Sequence, residues 1–418
     1  MVKKPKSADD PSTSQLERAQ ASYRTFLGSE SVDSSVRQSR RDERLKCRLC
    51  FFSFIALLGV VCLLAFVLER AKQSADLENF LSGLPANTTL ENVVNYVNWV
   101  QDDWTADFGA LLGGQSLSDE MPFASNLGSL TRRRERSLTA QLPTRRSEDY
   151  AISDDDIPLE FDARTRWPDC HSLYVVPDQG NCGACYALAA VGVASDRICI
   201  NSSGERQVLL SAYDAMQCCK HCSTKADDTC SGGMPSRILN HYVETGIVSE
   251  NCKPFPIPRC DHHTVRTKLY PYCTDEDLPT DLTRPNCKTE CVKGSKKSYE
   301  KDRYFGDAVY KIAQDNLAVQ KGLMTNGPVV VTFYMYWDLE HLYNNGTYHH
   351  VFGPFLGNHT AKLVGWGVDE VTGKPYWILV NEYNSNWGEN GEFRYLRTAP
   401  EDDHGMLLQE TLAPQPSL

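Results

Sequence analysis

The sequence contains two cysteines three positions apart, in Cys182-Gly-Ala-Cys185-Tyr. Small apolar residues follow Cys185 at close spacing and predict a buried helix that has Cys185 on its first turn. A helix N-terminus favours negative charge, and the thiolate is the reactive form of a cysteine. Cys185 is therefore a candidate nucleophile, and a redox or zinc-binding C-x-x-C pair is the alternative interpretation.

A histidine and an asparagine further along the chain could activate such a thiol. His359 stands at the head of Thr-Ala-Lys-Leu-Val-Gly-Trp-Gly, which predicts a strand, and Asn381 ends a second apolar run, Tyr376-Trp-Ile-Leu-Val. An imidazole with a pKa of about 6.5 is well suited to take a proton from a thiol. An amide beside the ring would fix its orientation and tautomer. Cys185, His359 and Asn381 thus predict acyl-transfer catalysis by a cysteine.

Charge and cysteine content narrow the class of protein further. The 418-residue chain has a formal net charge of −11, which argues against nucleic acid as a partner. Thirteen of its sixteen cysteines lie between Cys170 and Cys291. So many cysteines indicate disulfides in an oxidising compartment, and an odd number leaves one thiol free.

The N-terminal third predicts an attachment to a membrane. Residues 1–50 are polar and predict a disordered cytosolic tail. Residues 51–68 form an uncharged apolar run of eighteen residues that follows a cluster of basic residues. This pattern predicts a transmembrane signal anchor of type II orientation, so that the rest of the chain is lumenal or extracellular, with endolysosomal residence or secretion after processing. A cleaved signal peptide is the alternative.

Composition changes again before the folded region begins. Residues 69–156 combine an amphipathic segment with a linker rich in arginine and aspartate over residues 128–156, which we expect to be solvated and accessible to proteases. Residues 157–418 are dense in aromatic residues and cysteines and predict the folded domain. Sequons predict glycans at Asn87, Asn201 and Asn345. A fourth sequon, at Asn358, adjoins His359, and we expect it to be bare.

The segments around Cys185, His359 and Asn381 resemble the active-site motifs of papain-like cysteine peptidases. The resemblance implies an α+β fold of two domains, a helical left domain and a β-barrel right domain, with the active-site cleft between them. It also implies that Gln179 and the backbone N–H of Cys185 stabilise an oxyanion, and that neither metal nor cofactor is needed. Substrate-binding residues implied in the same way are Gly232, Gly233 and Trp387.

Within that family the sequence is similar to cathepsin B. Ile157-Pro-Leu-Glu-Phe-Asp-Ala-Arg resembles the start of a mature chain, and Cys260-Asp-His262-His263, closed by Cys273, resembles the occluding loop, here residues 260–273. The resemblance implies an endopeptidase that also releases C-terminal dipeptides, because His262 and His263 bind the terminal carboxylate of a substrate. Ordinary loop histidines are the alternative. Protein and peptide substrates, and the chain's own propeptide as inhibitor, are the implied partners of a monomeric catalytic domain.

The same resemblance implies a complete disulfide pattern that leaves Cys185 free. The implied pairs are Cys170–Cys199, Cys182–Cys230, Cys218–Cys287, Cys219–Cys222, Cys252–Cys291 and Cys260–Cys273.

Several positions depart from the family pattern. Tyr186 stands where a tryptophan is usual, and Glu382-Tyr383 replaces a Ser-Trp pair, which predicts weakened activity. Asn386 replaces an aspartate that tethers the loop, so a looser loop is expected, and Gln409 leaves the main specificity pocket without a charge. A catalytically weak or silent secreted, matrix-binding protein is therefore the alternative function.

Overall fold

Side-chain caps and runs of small apolar residues define the helices. In the computed structural model, the described residues are 89–107, 142–263, 268–274, 278, 282, 286–398 and 408–418. Thr89 caps the first helix, and Asp315 caps another by accepting from two backbone N–H groups. The α-helices of these residues are α1 (Leu90–Val100), α2 (Ala163–Arg166), α3 (Cys185–Asn201), α4 (Ala212–Cys218), α5 (Pro235–Glu244), α6 (Asn316–Asn326) and α7 (Trp337–Leu342).

Alternating and β-branched residues form the strands. The longest, β9, runs over Phe355–Val368 and is buried along most of its length. The other strands are β1 (Trp104–Ala106), β2 (Thr144–Arg145), β3 (Phe161–Asp162), β4 (Ser223–Lys225), β5 (Asp228–Gly233), β6 (Gly306–Ile312), β7 (Val329–Tyr336), β8 (Tyr343–Tyr348), β10 (Pro375–Val380), β11 (Glu392–Leu396) and β12 (Glu410–Pro416).

Most strands join one ten-stranded sheet, in the order β1-β8-β11-β10-β9-β7-β12-β6-β2, with β3 also paired to β9. The sheet is open over the described residues, so the predicted closed β-barrel is not found there. A closed barrel would need pairing between the two edge strands, β1 and β2. Here β1 pairs with β8 and β2 with β6, and no pairing among the described residues joins β1 to β2.

The described residues enclose two principal hydrophobic cores. One lies among the sheet strands and includes Phe333, Trp366 and Phe393. The other surrounds α3 and includes Ala190 and Ile238. The helix that begins at Cys185 is thus held by its own core, beside the sheet that bears the histidine and asparagine.

The segment upstream of residue 157 contacts both edges of the sheet. At one edge β1 pairs antiparallel with β8, and the side chain of Trp104 is buried. At the other edge β2 pairs parallel with β6, and Tyr150 is buried against the domain. Lys321 of α6 forms an ion pair of 2.6 Å with Asp154. The linker is therefore attached to the domain over residues 142–156, although most of these residues are exposed.

The predicted membrane anchor, residues 51–68, and the predicted tail, residues 1–50, lie outside the described residues. No helix in the described part of the chain combines the length and the apolar character needed to cross a bilayer. The described residues all belong to one compact unit that spans residues 80–418.

Candidate active site

Cys185 begins α3 and is the free cysteine of the described region. Its N-cap residue, Ala184, offers no side-chain hydrogen bond to the first turn. The backbone N–H groups at this end of the helix are therefore not consumed by a side-chain cap and can face an anionic group. The Cys185 side chain is largely buried, with 8% of its surface exposed.

The other cysteines hold this helix and its surroundings in place. The structure forms the six bridges implied by the resemblance, and two of them flank α3: Cys182–Cys230 before its start and Cys170–Cys199 near its end. Both have sulfur–sulfur separations within bonding distance. Because Cys182 is bonded to Cys230, the redox or zinc-binding C-x-x-C alternative is wrong.

His359 lies on β9 and Asn381 directly follows β10, which pairs with β9. The Nε2 of His359 lies 2.8 Å from Oδ1 of Asn381, and both side chains are fully buried. With this bond in place, Nε2 carries the ring hydrogen and Nδ1 remains available to the Cys185 sulfur. Burial lowers the pKa of His359, but Cys185 and Glu382 outweigh burial and raise it well above its ordinary value.

Gln179 is positioned by a short backbone pairing. Its N–H donates to the carbonyl of Glu382 over 2.9 Å, and Asp178 forms a β-bridge with Tyr383. Gln179 itself is 6% exposed. The segment that carries the predicted oxyanion donor is thus fixed to the segment that follows Asn381.

Tyr383 covers the histidine–asparagine pair. Its ring centroid lies 5.3 Å from that of His359, and its side chain is fully buried. Trp387 packs against Tyr383 at 5.5 Å, and its indole N–H donates to the carbonyl of Glu340. The smaller ring at position 383 therefore still screens the bond to Asn381 from water.

The loop histidines meet two carboxylates. Nε2 of His262 lies 2.6 Å from Oδ1 of Asp178, and the two histidines approach each other through their Nδ1 atoms at 2.9 Å. His263 contacts the Glu340 carboxylate and stacks on Tyr383, with ring centroids 3.8 Å apart. The loop therefore contacts Tyr383, the residue that covers the His359–Asn381 pair.

Glu340 was not predicted from the sequence, because 77 positions separate it from His263. Burial acts to raise the pKa of Glu340, but His263 and His341 lower it to about 2. Glu340 is thus a carboxylate at neutral pH, and it gives the loop a second tether although Asn386 has replaced the usual aspartate. The contact between His263 and Glu340 opposes the looser loop that Asn386 predicts.

Close packing at one position and backbone conformation at the other require the two glycines of β5. A Cβ at Gly233 would lie 2.4 Å from the Tyr186 ring, and Gly232 has a φ of 79° that favours glycine. Tyr186 is buried and its hydroxyl donates to the carbonyl of Thr229. The tyrosine that replaces the usual tryptophan is thus accommodated by the backbone opposite it.

The predicted glycan sites differ in their surroundings. Asn201 and Asn345 are exposed, whereas Asn87 lies outside the described residues. Asn358 is half-buried, and its Oδ1 is enclosed beside His359. Within the described ranges, no group of three or more His, Cys, Asp or Glu side chains could hold a metal ion.

Comparison with known proteins assigns the class. The sequence model of "Papain family cysteine protease" matches residues 157–410. The chain belongs to the papain family of cysteine proteases.

Within this family the sequence is cathepsin B-like. It is 38% identical to cathepsin B-like cysteine proteinase 6 of Caenorhabditis elegans, over 74% of this chain and 80% of that protein. It is 41% identical to a cathepsin B-like cysteine proteinase of Schistosoma japonicum, over 58% of this chain and 69% of that protein.

Solved structures extend the likeness to the upstream segment. Procathepsin B from Trypanosoma congolense superposes with a TM-score of 0.62 at 27% identity, covering 80% of this chain and all of that one. The proform of a ragweed pollen cysteine protease shares the fold, with a TM-score of 0.53 at 17% identity and coverage of 78% and 86% of the two chains. Both of these solved chains are proforms, and the first covers 80% of this chain, more than residues 157–410 alone.

Proposed function

We propose that Cys185 is the nucleophile, His359 its general base and acid, and Asn381 the residue that orients the imidazole. The observation that carries this proposal is the free thiol at the start of α3 beside a buried His359–Asn381 pair joined over 2.8 Å. The raised pKa of His359 supports a thiolate–imidazolium pair, because each charge stabilises the other.

The steps follow from these positions. The Cys185 thiolate attacks the carbonyl carbon of the scissile peptide bond, and its electrons form a carbon–sulfur bond while the carbonyl oxygen becomes an oxyanion. The Gln179 side chain and the backbone N–H of Cys185 stabilise that oxyanion; one such donor contributes about 3–4 kcal/mol in comparable enzymes. His359 then protonates the departing amine, and afterwards takes a proton from the water that hydrolyses the thioester.

We also propose that the enzyme releases C-terminal dipeptides in addition to cleaving internal bonds. His262 and His263 lie at the covered end of the site, held by Asp178 and Glu340. Their Nε2 atoms are held by these carboxylates, so the Nδ1 atoms, which face each other at 2.9 Å, are the groups that would turn to bind the terminal carboxylate of a substrate through charge-assisted hydrogen bonds. Gly232, Gly233 and Trp387 would line the binding cleft, which separates the domain around α3 from the sheet domain.

We propose that residues 69–156, which include α1, β1 and β2, are a propeptide and activation linker that inhibits the enzyme until it is cleaved. Pairing of β1 with β8 supports this role, because it holds the segment on the catalytic domain, where Trp104 packs on Tyr343 and Tyr343 packs on Trp387. Six disulfides support folding in an oxidising compartment. We propose residues 51–68 as the signal anchor that directs the domain there. In intact microsomes, added protease should digest the tail of residues 1–50 and spare the catalytic domain; a protected tail would refute this orientation.

Labelling by an epoxide-type thiol inhibitor tests the catalytic assignment. The processed protein should be labelled at Cys185 at acidic pH, and Cys185→Ser should abolish both label and peptide hydrolysis. A processed protein that folds, carries a free Cys185 and takes up no label would instead favour the silent, matrix-binding alternative.

A further inference from the structure

A buried carboxylate lies beside the catalytic histidine, in addition to Asn381. Oε2 of Glu382 is 3.3 Å from Nε2 of His359, and the two side chains are 1% and 0% exposed. The Nε2 hydrogen points to Asn381, and neither oxygen of Glu382 has a hydrogen-bond partner of good geometry in the described structure. A carboxylate at this depth with so little hydrogen bonding is costly, because burial removes its hydration. The presence of the Glu382 carboxylate beside His359 therefore needs a physical explanation.

The backbone fixes this carboxylate where it stands. The N–H of Glu382 donates to Oδ1 of Asn381, the atom that accepts from His359, and the carbonyl of Glu382 accepts from the N–H of Gln179. Glu382 thus connects the segment of the predicted oxyanion donor with the orienting asparagine. A change in its side chain alters the charge beside His359 while these backbone contacts can stay.

Other charges around the pair come from several elements. Cys185 of α3 faces His359, and His263 and Glu340 lie on the loop side, beyond Tyr383. Lys362 of β9 also acts on Glu382, and it forms an ion pair of 3.1 Å with Asp196. A cavity of about 310 Å³ adjoins Glu382 and is also lined by charged residues, namely Asp178, Glu250, Arg259 and Lys362.

These surroundings make the charge of Glu382 depend on pH near neutrality. Burial raises its pKa to about 7, although His359 and Lys362 act to lower it. Below that pH the side chain is neutral. Above it, the carboxylate adds a negative charge at 3.3 Å from the imidazolium, in surroundings where water screens little. The negative charge of Glu382 stabilises the positive charge of the imidazolium, so His359 keeps its proton to higher pH.

We propose that Glu382 is a second positioning residue for His359, which acts through its charge and extends the thiolate–imidazolium pair to alkaline pH. The proposal rests on the proposed function of Cys185 and His359. It places beside Asn381 a titrating acidic partner that an uncharged serine at the same position could not supply.

The test is the pH dependence of Cys185 alkylation by iodoacetamide, alongside kcat/KM, in the processed enzyme. For Glu382→Gln, the alkaline limb of both profiles should move to lower pH by about one unit or more, since one unit corresponds to a tenfold change in the ionisation equilibrium. The acid limb should move less, because Glu382 is already protonated there. Glu382→Asp retains the charge and should place the alkaline limb between those of the parent and Glu382→Gln.

Glu250→Gln is the matched control, since it removes another carboxylate of the same cavity that does not contact His359, and it should leave the alkaline limb in place. Superimposable profiles for Glu382→Gln and the parent, or a uniform loss of rate with an unmoved limb, would overturn the proposal. If Glu382→Gln fails to fold, the same comparison made with Glu382→Ser and Glu382→Asp decides it. A parent enzyme whose Cys185 is not alkylated would refute the proposed function itself.

Discussion

The proposed occluding loop offers the most direct test of dipeptide release. His262→Ala removes two contacts from the loop: the hydrogen bond of 2.6 Å to Asp178 and the approach of 2.9 Å to His263. Both His262 and Asp178 have side chains at most one-tenth exposed, so water replaces these contacts poorly. Loss of His262 should therefore favour the open loop.

The size of the effect follows from these two contacts. A hydrogen bond to a charged group contributes about 1.5–3 kcal/mol and a neutral one about 0.5–1.5 kcal/mol. Their sum, about 2–4.5 kcal/mol, lowers the ratio of closed to open loop by roughly 30- to 2000-fold, at about 1.36 kcal/mol for each factor of ten. Dipeptide release should in addition lose the hydrogen bond from His262 to the substrate carboxylate, about 1.5–3 kcal/mol, and so fall by about 10- to 150-fold.

One peptide in two forms gives the assay. With a free C-terminal carboxylate it reports dipeptide release, and with a C-terminal amide and a longer primed side it reports internal cleavage. His262→Ala should lower the first activity while the second is kept or increased. The exposed His171 provides the control, since His171→Ala should change neither. An equal fall of both activities in His262→Ala would show that the histidine does not bind the substrate carboxylate.

Three further changes probe the site and the fold. Asn381→Ala should lower kcat/KM by about 10- to 150-fold, the equivalent of losing one hydrogen bond of about 1.5–3 kcal/mol to His359. The midpoint of thermal unfolding should fall too, because the buried N–H groups of His359 and Glu382 lose their acceptor. Lys253→Met should lower the free energy of unfolding by about 3–5 kcal/mol in denaturant titrations, because Lys253 pairs with the fully buried Asp214 over 3.0 Å. Tyr186→Trp should overfill a tightly packed site and cost about 1–3 kcal/mol, so an unchanged midpoint of unfolding would contradict the packing described here.

Local sequence patterns were sufficient for the elements that carry Cys185, His359 and Asn381. The run of small apolar residues specifies α3, and two apolar runs around Gly-Trp-Gly specify β9 and β10. The disulfide pairs came from family resemblance, since cysteine spacing alone leaves the connectivity undetermined.

The remaining features depend on contacts between distant segments. Glu340 meets His263 across 77 positions, and no local pattern marks that contact. Glu382 was visible as a departure from the family pattern, but its closeness to Nε2 of His359 depends on how the backbone turns after β10. The open sheet could not be anticipated either, because short strands from upstream residues occupy its two ends.

Attachment of the upstream segment at two separate edges of the sheet has a consequence for activation. While residues 108–141 are intact, β1 is linked through the chain to β2, so that its binding to β8 is intramolecular and independent of protein concentration. A single cut within residues 108–141 turns the piece that contains β1 into a separate ligand, which dilution can remove. Residues 142–156 would remain bonded to the enzyme through the main chain, keeping β6 covered.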